Sequence, residues 1–184
     1  MHILNLPNIL TMMRIILIPI FVTSIVYLRY DYALALFAVA ALTDLLDGLI
    51  ARMKSQKTAL GGFLDPLADK FLLMTSFILF SVYKFVPTWL TITIISRDVI
   101  VITGWIIIYL MTHSAKVEPT FTGKAAIASQ LVLICYILFD INVPGVPSYL
   151  REYLIWITAV FTIISALHYI YRGLKQANVQ ESRR

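Results

Sequence analysis

One polar stretch interrupts an otherwise apolar chain and decides how that chain is organised. It occupies residues 43–70 and reads Thr-Asp-Leu-Leu-Asp-Gly-Leu-Ile-Ala-Arg-Met-Lys-Ser-Gln-Lys-Thr-Ala-Leu-Gly-Gly-Phe-Leu-Asp-Pro-Leu-Ala-Asp-Lys. It contains four of the ten acidic residues, with Asp44 and Asp47 three positions apart and Asp65 and Asp69 four apart. Both spacings place two carboxylates on one face of a helix. The stretch therefore predicts a helix, a tight basic turn and a second helix.

The composition indicates an all-α integral membrane protein rather than a water-soluble one. The 184 residues are 60% hydrophobic and 14% charged, whereas a soluble domain is about 45–50% apolar and about 25% charged. A globule of this size cannot bury so many apolar residues. The length leaves room for one membrane domain over residues 1–184, with a polar tail from about residue 173. No basic tract is interleaved with aromatic residues, so no nucleic-acid partner is predicted.

Six apolar segments are each close to the ~20 residues that a bilayer span needs. We therefore expect six transmembrane helices, with the fifth the shortest, and a loose tail after residue 171. The predicted ranges are 8–27, 32–53, 62–83, 88–111, 124–139 and 149–171. The first helix is expected to be retained, because no basic stretch precedes it and no small-residue cleavage site follows it.

The basic residues of the loops are unevenly divided between the two sides of the predicted membrane. One side has Arg52, Lys54, Lys57, Lys116, Lys124, Arg172, Lys175, Arg183 and Arg184; the other has Arg29, Lys84 and Arg151. Loops rich in Lys and Arg face the cytoplasm. Both termini and the polar stretch are therefore predicted at the cytoplasmic face of the cell (inner) membrane.

The four carboxylates of the polar stretch have the chemistry of a divalent-cation site. Oxygen ligands suit magnesium, manganese or calcium, and no cluster of His and Cys argues for zinc. If the turn brings the two pairs together, two cations between them could bind a diphosphate. On the face of the first helix, Gly48 and Ala51 are small enough to admit a ligand, and Arg52 offers a planar fork for phosphate.

Other interpretations of the same residues stay open at this point. The carboxylates could simply pair with neighbouring basic residues at the membrane interface. They could also belong to a divalent-cation transporter, for which Asp98 would be a further intramembrane candidate. A scaffold for other membrane enzymes is a third possibility.

The polar stretch resembles the signature of the CDP-alcohol phosphatidyltransferase family. The pattern is Asp44-x2-Asp47-Gly48-x2-Ala51-Arg52-x8-Gly61-x3-Asp65-x3-Asp69, and every fixed position is present. The resemblance implies six membrane helices, a homodimer, and transfer of a phosphatidyl group from CDP-diacylglycerol to an alcohol with release of CMP.

The resemblance also implies roles for individual residues. Two Mg²⁺ or Mn²⁺ ions would be bound by Asp44, Asp47, Asp65 and Asp69. Asp69 would be the general base that accepts the proton of the acceptor hydroxyl, which then attacks the phosphorus on the lipid side of the diphosphate. The CDP pocket would be lined by Gly48, Ala51, Arg52 and Gly61.

The acceptor is predicted from features outside the polar stretch. These features resemble the bacterial phosphatidylglycerophosphate synthases, which use glycerol 3-phosphate. They include Asn5-Leu-Pro7-Asn8, Ser96-Arg97-Asp98, and Gly123-Lys124 followed by Gln130. Phosphatidylglycerol, as in cardiolipin synthases, serine and inositol phosphate remain alternative acceptors.

Arg97 gives a physical reason to expect a phosphorylated acceptor. An unpaired cation in an apolar helix is costly, and Asp98 is expected to point elsewhere on the helix, so an anionic substrate could pair with Arg97. Lys124 and Arg14 could assist. Each residue has an alternative interpretation. Arg97 could pair permanently with a carboxylate of the protein, and Arg14 could be an interfacial anchor whose long side chain extends to the membrane surface.

Overall fold

Most of the polar stretch lies on two of the six helices that the structure describes. The computed structural model describes residues 6–54, 61–112 and 120–181, and the side chains of 12–43, 68–107, 110, 120–147 and 149–175. The helices are α1 (Leu6–Val26), α2 (Tyr30–Lys54), α3 (Gly61–Val82), α4 (Thr88–Thr112), α5 (Phe121–Asn142) and α6 (Ser148–Glu181). No strand occurs in these ranges, which confirms the all-α prediction. The predicted basic turn falls largely on residues 55–60, outside the described residues.

The predicted helix boundaries differ most from the structure in α5 and α6. α5 is longer than expected at both ends, so α1, with 21 residues, is shorter than α5, with 22. The prediction of a loose tail after residue 171 is wrong as far as Glu181, because α6 continues to that residue. Residues 172–181 are mostly good helix formers and include no proline, and Gly173 does not interrupt the helix.

The described helices identify a multi-pass membrane protein. Three segments are long and apolar enough to cross a bilayer, namely Thr88–Ile107, Phe121–Asn142 and Tyr149–Lys175. Two shorter apolar segments, Met12–Val26 and Tyr30–Thr43, belong to α1 and α2. The count of six spans stays a prediction.

The chain divides into two compact units. The first comprises Met1–Phe80 and Ile137–Val146, and the second comprises Ser81–Tyr136 and Pro147–Arg184. The expectation of one membrane domain over the whole chain also stays a prediction.

In the first unit, α1 packs against α2. The rings of Phe21 and Phe37 lie 6.1 Å apart in a tilted arrangement, and both side chains are buried. Ala33 and Ala40 are buried on the same face of α2 as Phe37, at the three- and four-residue steps that line one side of a helix. The small residues allow the helix backbones to approach closely.

In the second unit, α6 supplies a buried polar face. Thr158, Thr162 and Ser165 follow one another at steps of four and three residues and are all buried. The Thr158 hydroxyl donates to the Ser129 carbonyl at 3.3 Å, and Gln130 Nε2 donates to Thr162 Oγ1 at 3.3 Å. These bonds join α5 to α6, and α4 also packs against α6. Interhelical hydrogen bonds of this kind stabilise contacts in an apolar medium, where water offers no alternative partner.

Candidate active site

The four aspartates of the polar stretch all lie on helical backbone, as the sequence predicts. Asp44 and Asp47 lie on α2, and Asp65 and Asp69 lie on α3. Each pair therefore shares a helix at the three- or four-residue step that puts both residues on one face. The side chains of residues 44–67 lie outside the described part of the chain, which includes the predicted CDP-binding residues Gly48, Ala51, Arg52 and Gly61.

Asp69 is the member of the quartet whose side chain is described. Its Oδ1 accepts a 2.7 Å hydrogen bond from Nη1 of Arg14, which is 1% exposed, whereas the Asp69 side chain is 42% exposed. Arg14 is therefore not the interfacial anchor that one interpretation suggested. The carboxylate is fixed on one side by a buried cation and is accessible on another.

The donor set suits a divalent cation by its chemistry. Two carboxylate pairs on two helices are the hard oxygen ligands that Mg²⁺ and Mn²⁺ prefer. Among the side chains that the structure describes, no group of three or more His, Cys, Asp and Glu residues comes together. Since three of the four carboxylates fall outside those side chains, the two-metal site stays a prediction.

A second group of polar residues surrounds Arg97 in the second unit. Arg97 lies on α4, is 4% exposed and donates to Ser165 Oγ of α6 from Nε at 3.2 Å and from Nη2 at 2.9 Å. Its Cζ also lies 5.7 Å from the centre of the Tyr169 ring. A charge placed in a helix interior is thereby supplied with polar and aromatic partners.

The expectation that Asp98 would be an imperfect partner for Arg97 is wrong. Nη1 of Arg97 donates a 2.6 Å hydrogen bond to Oδ1 of Asp98. Adjacent residues point in different directions from a helix, but the long arginine side chain can bend back to its neighbour. Arg97 thus has a protein carboxylate beside it, which was the alternative to an anionic substrate, so the cost of an unpaired cation is not a reason to expect a phosphorylated acceptor.

The first turn of α5 adjoins Arg97. Thr120 precedes the helix, and its Oγ1 accepts hydrogen bonds from the Gly123 amide at 3.1 Å and from the Thr122 hydroxyl at 3.3 Å. This is the usual arrangement of a threonine N-cap. Nδ1 of His168 lies 3.3 Å from Thr122 Oγ1, which links α6 to the same turn.

Sequence reasoning did not identify Ser165, Tyr169 or Thr120 as neighbours of Arg97. The signal for Ser165 was present, since hydroxyl residues recur every three to four positions along α6.

Lys124, a predicted phosphate ligand, lies in the first turn of α5 with an exposed side chain. Arg14 lies in the first unit and Arg97 lies in the second.

The fold and the polar stretch together define a class of protein. The chain is a helical membrane protein that carries paired carboxylates on consecutive helices, a set suited to binding a diphosphate through divalent cations.

The comparison with protein families is more specific. The family model of the CDP-alcohol phosphatidyltransferases matches residues 4–164. The chain belongs to this family. The family is generally metal-dependent.

Individual relatives of two kinds are similar to the chain over most of its length. Cardiolipin synthases (CMP-forming) of Rattus norvegicus and Homo sapiens are 37% and 36% identical over 95% of this chain, which spans 63% and 64% of their lengths. The chain thus spans less than two thirds of these relatives. The CDP-diacylglycerol–glycerol-3-phosphate 3-phosphatidyltransferase of Salmonella typhimurium is 33% identical over 90% of this chain and 93% of that enzyme.

Family membership favours one of the functions that the residues left open. The matched family is one of phosphatidyltransferases, which supports the enzyme interpretation over the cation transporter and the scaffold.

Proposed function

We propose that this enzyme transfers the phosphatidyl group of CDP-diacylglycerol to glycerol 3-phosphate, giving phosphatidylglycerophosphate and CMP. The observation that carries the proposal is the complete motif from Asp44 to Asp69 on α2 and α3. The similarity to a glycerol-3-phosphate phosphatidyltransferase over nearly the full length of both chains supports this acceptor.

In this reaction Asp69 is the general base. Its accessible carboxylate takes the proton of an acceptor hydroxyl, while Arg14 holds the carboxylate from the buried side. The hydroxyl oxygen forms a bond to the lipid-side phosphorus, and the bond from that phosphorus to the oxygen of the CMP phosphate breaks. The proton remains on Asp69 until solvent removes it, and CMP leaves with the bonding electrons.

The remaining motif residues bind the CDP-lipid. Asp44, Asp47 and Asp65, together with Asp69, would hold two Mg²⁺ or Mn²⁺ ions. When bound, such ions neutralise negative charge on the diphosphate and on the departing CMP. The CDP moiety would be bound by Gly48, Ala51, Arg52 and Gly61.

The acceptor phosphate is assigned to Arg97 and Lys124. Arg97 is buried, and its planar guanidinium suits a phosphate group. Lys124 adds an exposed cation in the first turn of α5, where the helix dipole also favours an anion. Arg14 was a third candidate, but its contact with Asp69 favours a role beside the base.

The location and assembly of the enzyme are also proposed. The uneven distribution of Lys and Arg supports an inner-membrane protein whose motif faces the cytoplasm. CDP-diacylglycerol would then enter from the bilayer and glycerol 3-phosphate from the cytoplasm. A homodimer is proposed from the family resemblance.

Phosphatidylglycerol is a second candidate acceptor. It is favoured by the 37% identity to a cardiolipin synthase. Both acceptors are glycerols with a free hydroxyl and a phosphate, so the same base and the same phosphate ligands could serve either one.

The test is CMP release by the purified protein in detergent with CDP-diacylglycerol, Mg²⁺ and one acceptor at a time. The acceptors are glycerol 3-phosphate, phosphatidylglycerol, serine and inositol phosphate. Release with glycerol 3-phosphate and formation of phosphatidylglycerophosphate support the proposal. Release with phosphatidylglycerol alone would reassign the acceptor, and absence of release with all four from folded protein would overturn the proposal.

A further inference from the structure

Ser165 and Asp98 contact different parts of the Arg97 guanidinium. Ser165 Oγ accepts two hydrogen bonds, from Nε and Nη2, and therefore occupies the edge that these nitrogens share. Asp98 Oδ1 accepts from Nη1. The three bonds come from two helices and fix the plane of the guanidinium within the second unit.

These contacts leave a defined part of Arg97 for a ligand. A guanidinium has five N–H groups, and the described hydrogen bonds use one on Nε, one on Nη1 and one on Nη2. The other two N–H groups belong to the two terminal nitrogens. Charged N–H donors of this kind form strong hydrogen bonds to phosphate oxygens.

Gly123 provides the space in which Nη2 lies. A Cβ atom at position 123 would lie 3.3 Å from Nη2 of Arg97, 3.3 Å from the Tyr169 hydroxyl and 3.0 Å from Thr120 Oγ1. Separations this short require the neighbours to move. A side chain here would therefore press on the guanidinium as well as on Thr120 Oγ1 and the Tyr169 hydroxyl, and these groups would have to shift by a few tenths of an ångström.

We propose that Ser165 and Asp98 are positioning residues that orient Arg97 toward the phosphate of a glycerol-based acceptor, and that Gly123 keeps the space this orientation needs. The inference rests on the phosphate-binding role proposed above for Arg97. Ser165 is uncharged, so it fixes the guanidinium without neutralising it. Asp98 pairs with the buried cation at one nitrogen and leaves N–H groups on both terminal nitrogens for the ligand.

Ser165→Ala tests the inference through the Michaelis constants of the two substrates. It removes two hydrogen bonds of a charged donor, so we expect the KM for the acceptor to rise roughly tenfold, with the KM for CDP-diacylglycerol and the kcat nearly unchanged. Ser165→Thr keeps the hydroxyl and should restore the acceptor KM. The matched control is Ser24→Ala in α1, where the buried hydroxyl donates only to the Phe21 carbonyl among the contacts of the described residues.

Gly123→Ala is a second variant in case Ser165→Ala does not fold. It should raise the acceptor KM in the same selective way. Gly104→Ala on α4 is its control, because a Cβ there meets nothing within 4 Å in the structure. The acceptor used is whichever of glycerol 3-phosphate and phosphatidylglycerol supports CMP release by the wild-type enzyme.

A double-mutant cycle with Arg97→Gln separates this inference from the proposed function. If Ser165 acts through Arg97, Ser165→Ala should have no further effect on the acceptor KM in the Arg97→Gln background. If Arg97→Gln itself leaves the acceptor KM unchanged, the phosphate-binding role of Arg97 is wrong. If Arg97→Gln raises that KM while Ser165→Ala and Gly123→Ala leave it unchanged or affect both substrates equally, only the positioning inference is overturned.

Discussion

Nη1 of Arg14 donates a 2.7 Å hydrogen bond to Oδ1 of Asp69, which joins α1 to α3 across 55 positions of sequence. The arginine is buried and the aspartate is partly exposed. The pair thus places the proposed base at the boundary between the packed interior of the first unit and its surface. A fixed carboxylate is more effective as a base than a mobile one, because little orientation has to be achieved during the reaction.

Asp69→Asn is expected to lower CMP release about 10²- to 10⁴-fold, the usual contribution of a general base. The amide has the shape of the carboxylate but cannot accept the hydroxyl proton. Turnover is measured as CMP release, and binding of CDP-diacylglycerol is measured separately. Asp31→Asn, which alters an exposed aspartate paired with Arg29, should leave turnover unchanged. Near-normal turnover by Asp69→Asn would refute the assignment of the base.

Arg14→Gln should lower kcat more than it raises the KM for the acceptor. The substitution removes the cation that holds Asp69, so we expect roughly a 10- to 100-fold loss of turnover. The loss is smaller than it would be for a fully buried pair, because Asp69 is partly exposed and solvent weakens its interaction with Arg14. Arg14→Lys should recover part of it, since the ammonium keeps the charge but not the planar fork. The opposite pattern, a raised acceptor KM with unchanged kcat, would return Arg14 to the acceptor site.

The sequence predicted the helices of the site better than it predicted the partners of the charged residues. Apolar segment length and the spacing of Asp44, Asp47, Asp65 and Asp69 are local properties, and α2 and α3 agree with them. The contacts of Arg14 with Asp69 and of Arg97 with Ser165 join residues 55 and 68 positions apart. Only tertiary packing determines such pairs.

Removal of divalent cations is expected to abolish CMP release without unfolding the protein. The reason is that the four motif carboxylates would repel one another and the diphosphate once the cations are gone. The protein is treated with EDTA, and CMP release is followed while Mg²⁺ or Mn²⁺ is added back. Circular dichroism checks that the helices persist. Undiminished release in EDTA would contradict the predicted metal site.

Lys124→Met should raise the KM for the acceptor about tenfold and change the KM for CDP-diacylglycerol little. The exposed ammonium lies in the first turn of α5, and a charge-assisted hydrogen bond to phosphate has an effect of this size. Raising the salt concentration should reduce the difference between Lys124→Met and the wild type. The control is Lys84→Met in the turn before α4, which should leave both constants unchanged. An equal rise in both would indicate a general structural effect.

The turn between α1 and α2 contains a leucine in a left-handed conformation. Leu28 has φ of 59° and is 59% exposed. The amide of Arg29 donates to the Ser24 carbonyl at 2.8 Å, and the amide of Leu28 donates to the Ile25 carbonyl at 3.0 Å. This pair of bonds is the Schellman arrangement at a helix C-terminus, whose left-handed residue is most often glycine.

Leu28→Gly should therefore raise the stability of the protein by up to about 1 kcal/mol. A left-handed conformation costs about 1–2 kcal/mol for a residue with a Cβ, and the greater flexibility of glycine in the unfolded chain offsets part of the gain. Leu28→Val should have the opposite effect, because a β-branched side chain tolerates this conformation poorly. The measurement is the thermal unfolding temperature of the purified protein in detergent. Val26→Gly, in the last turn of α1, is the control and should lower that temperature, because glycine within a helix costs about 1 kcal/mol. If both glycine variants lowered it alike, the left-handed turn would carry no strain.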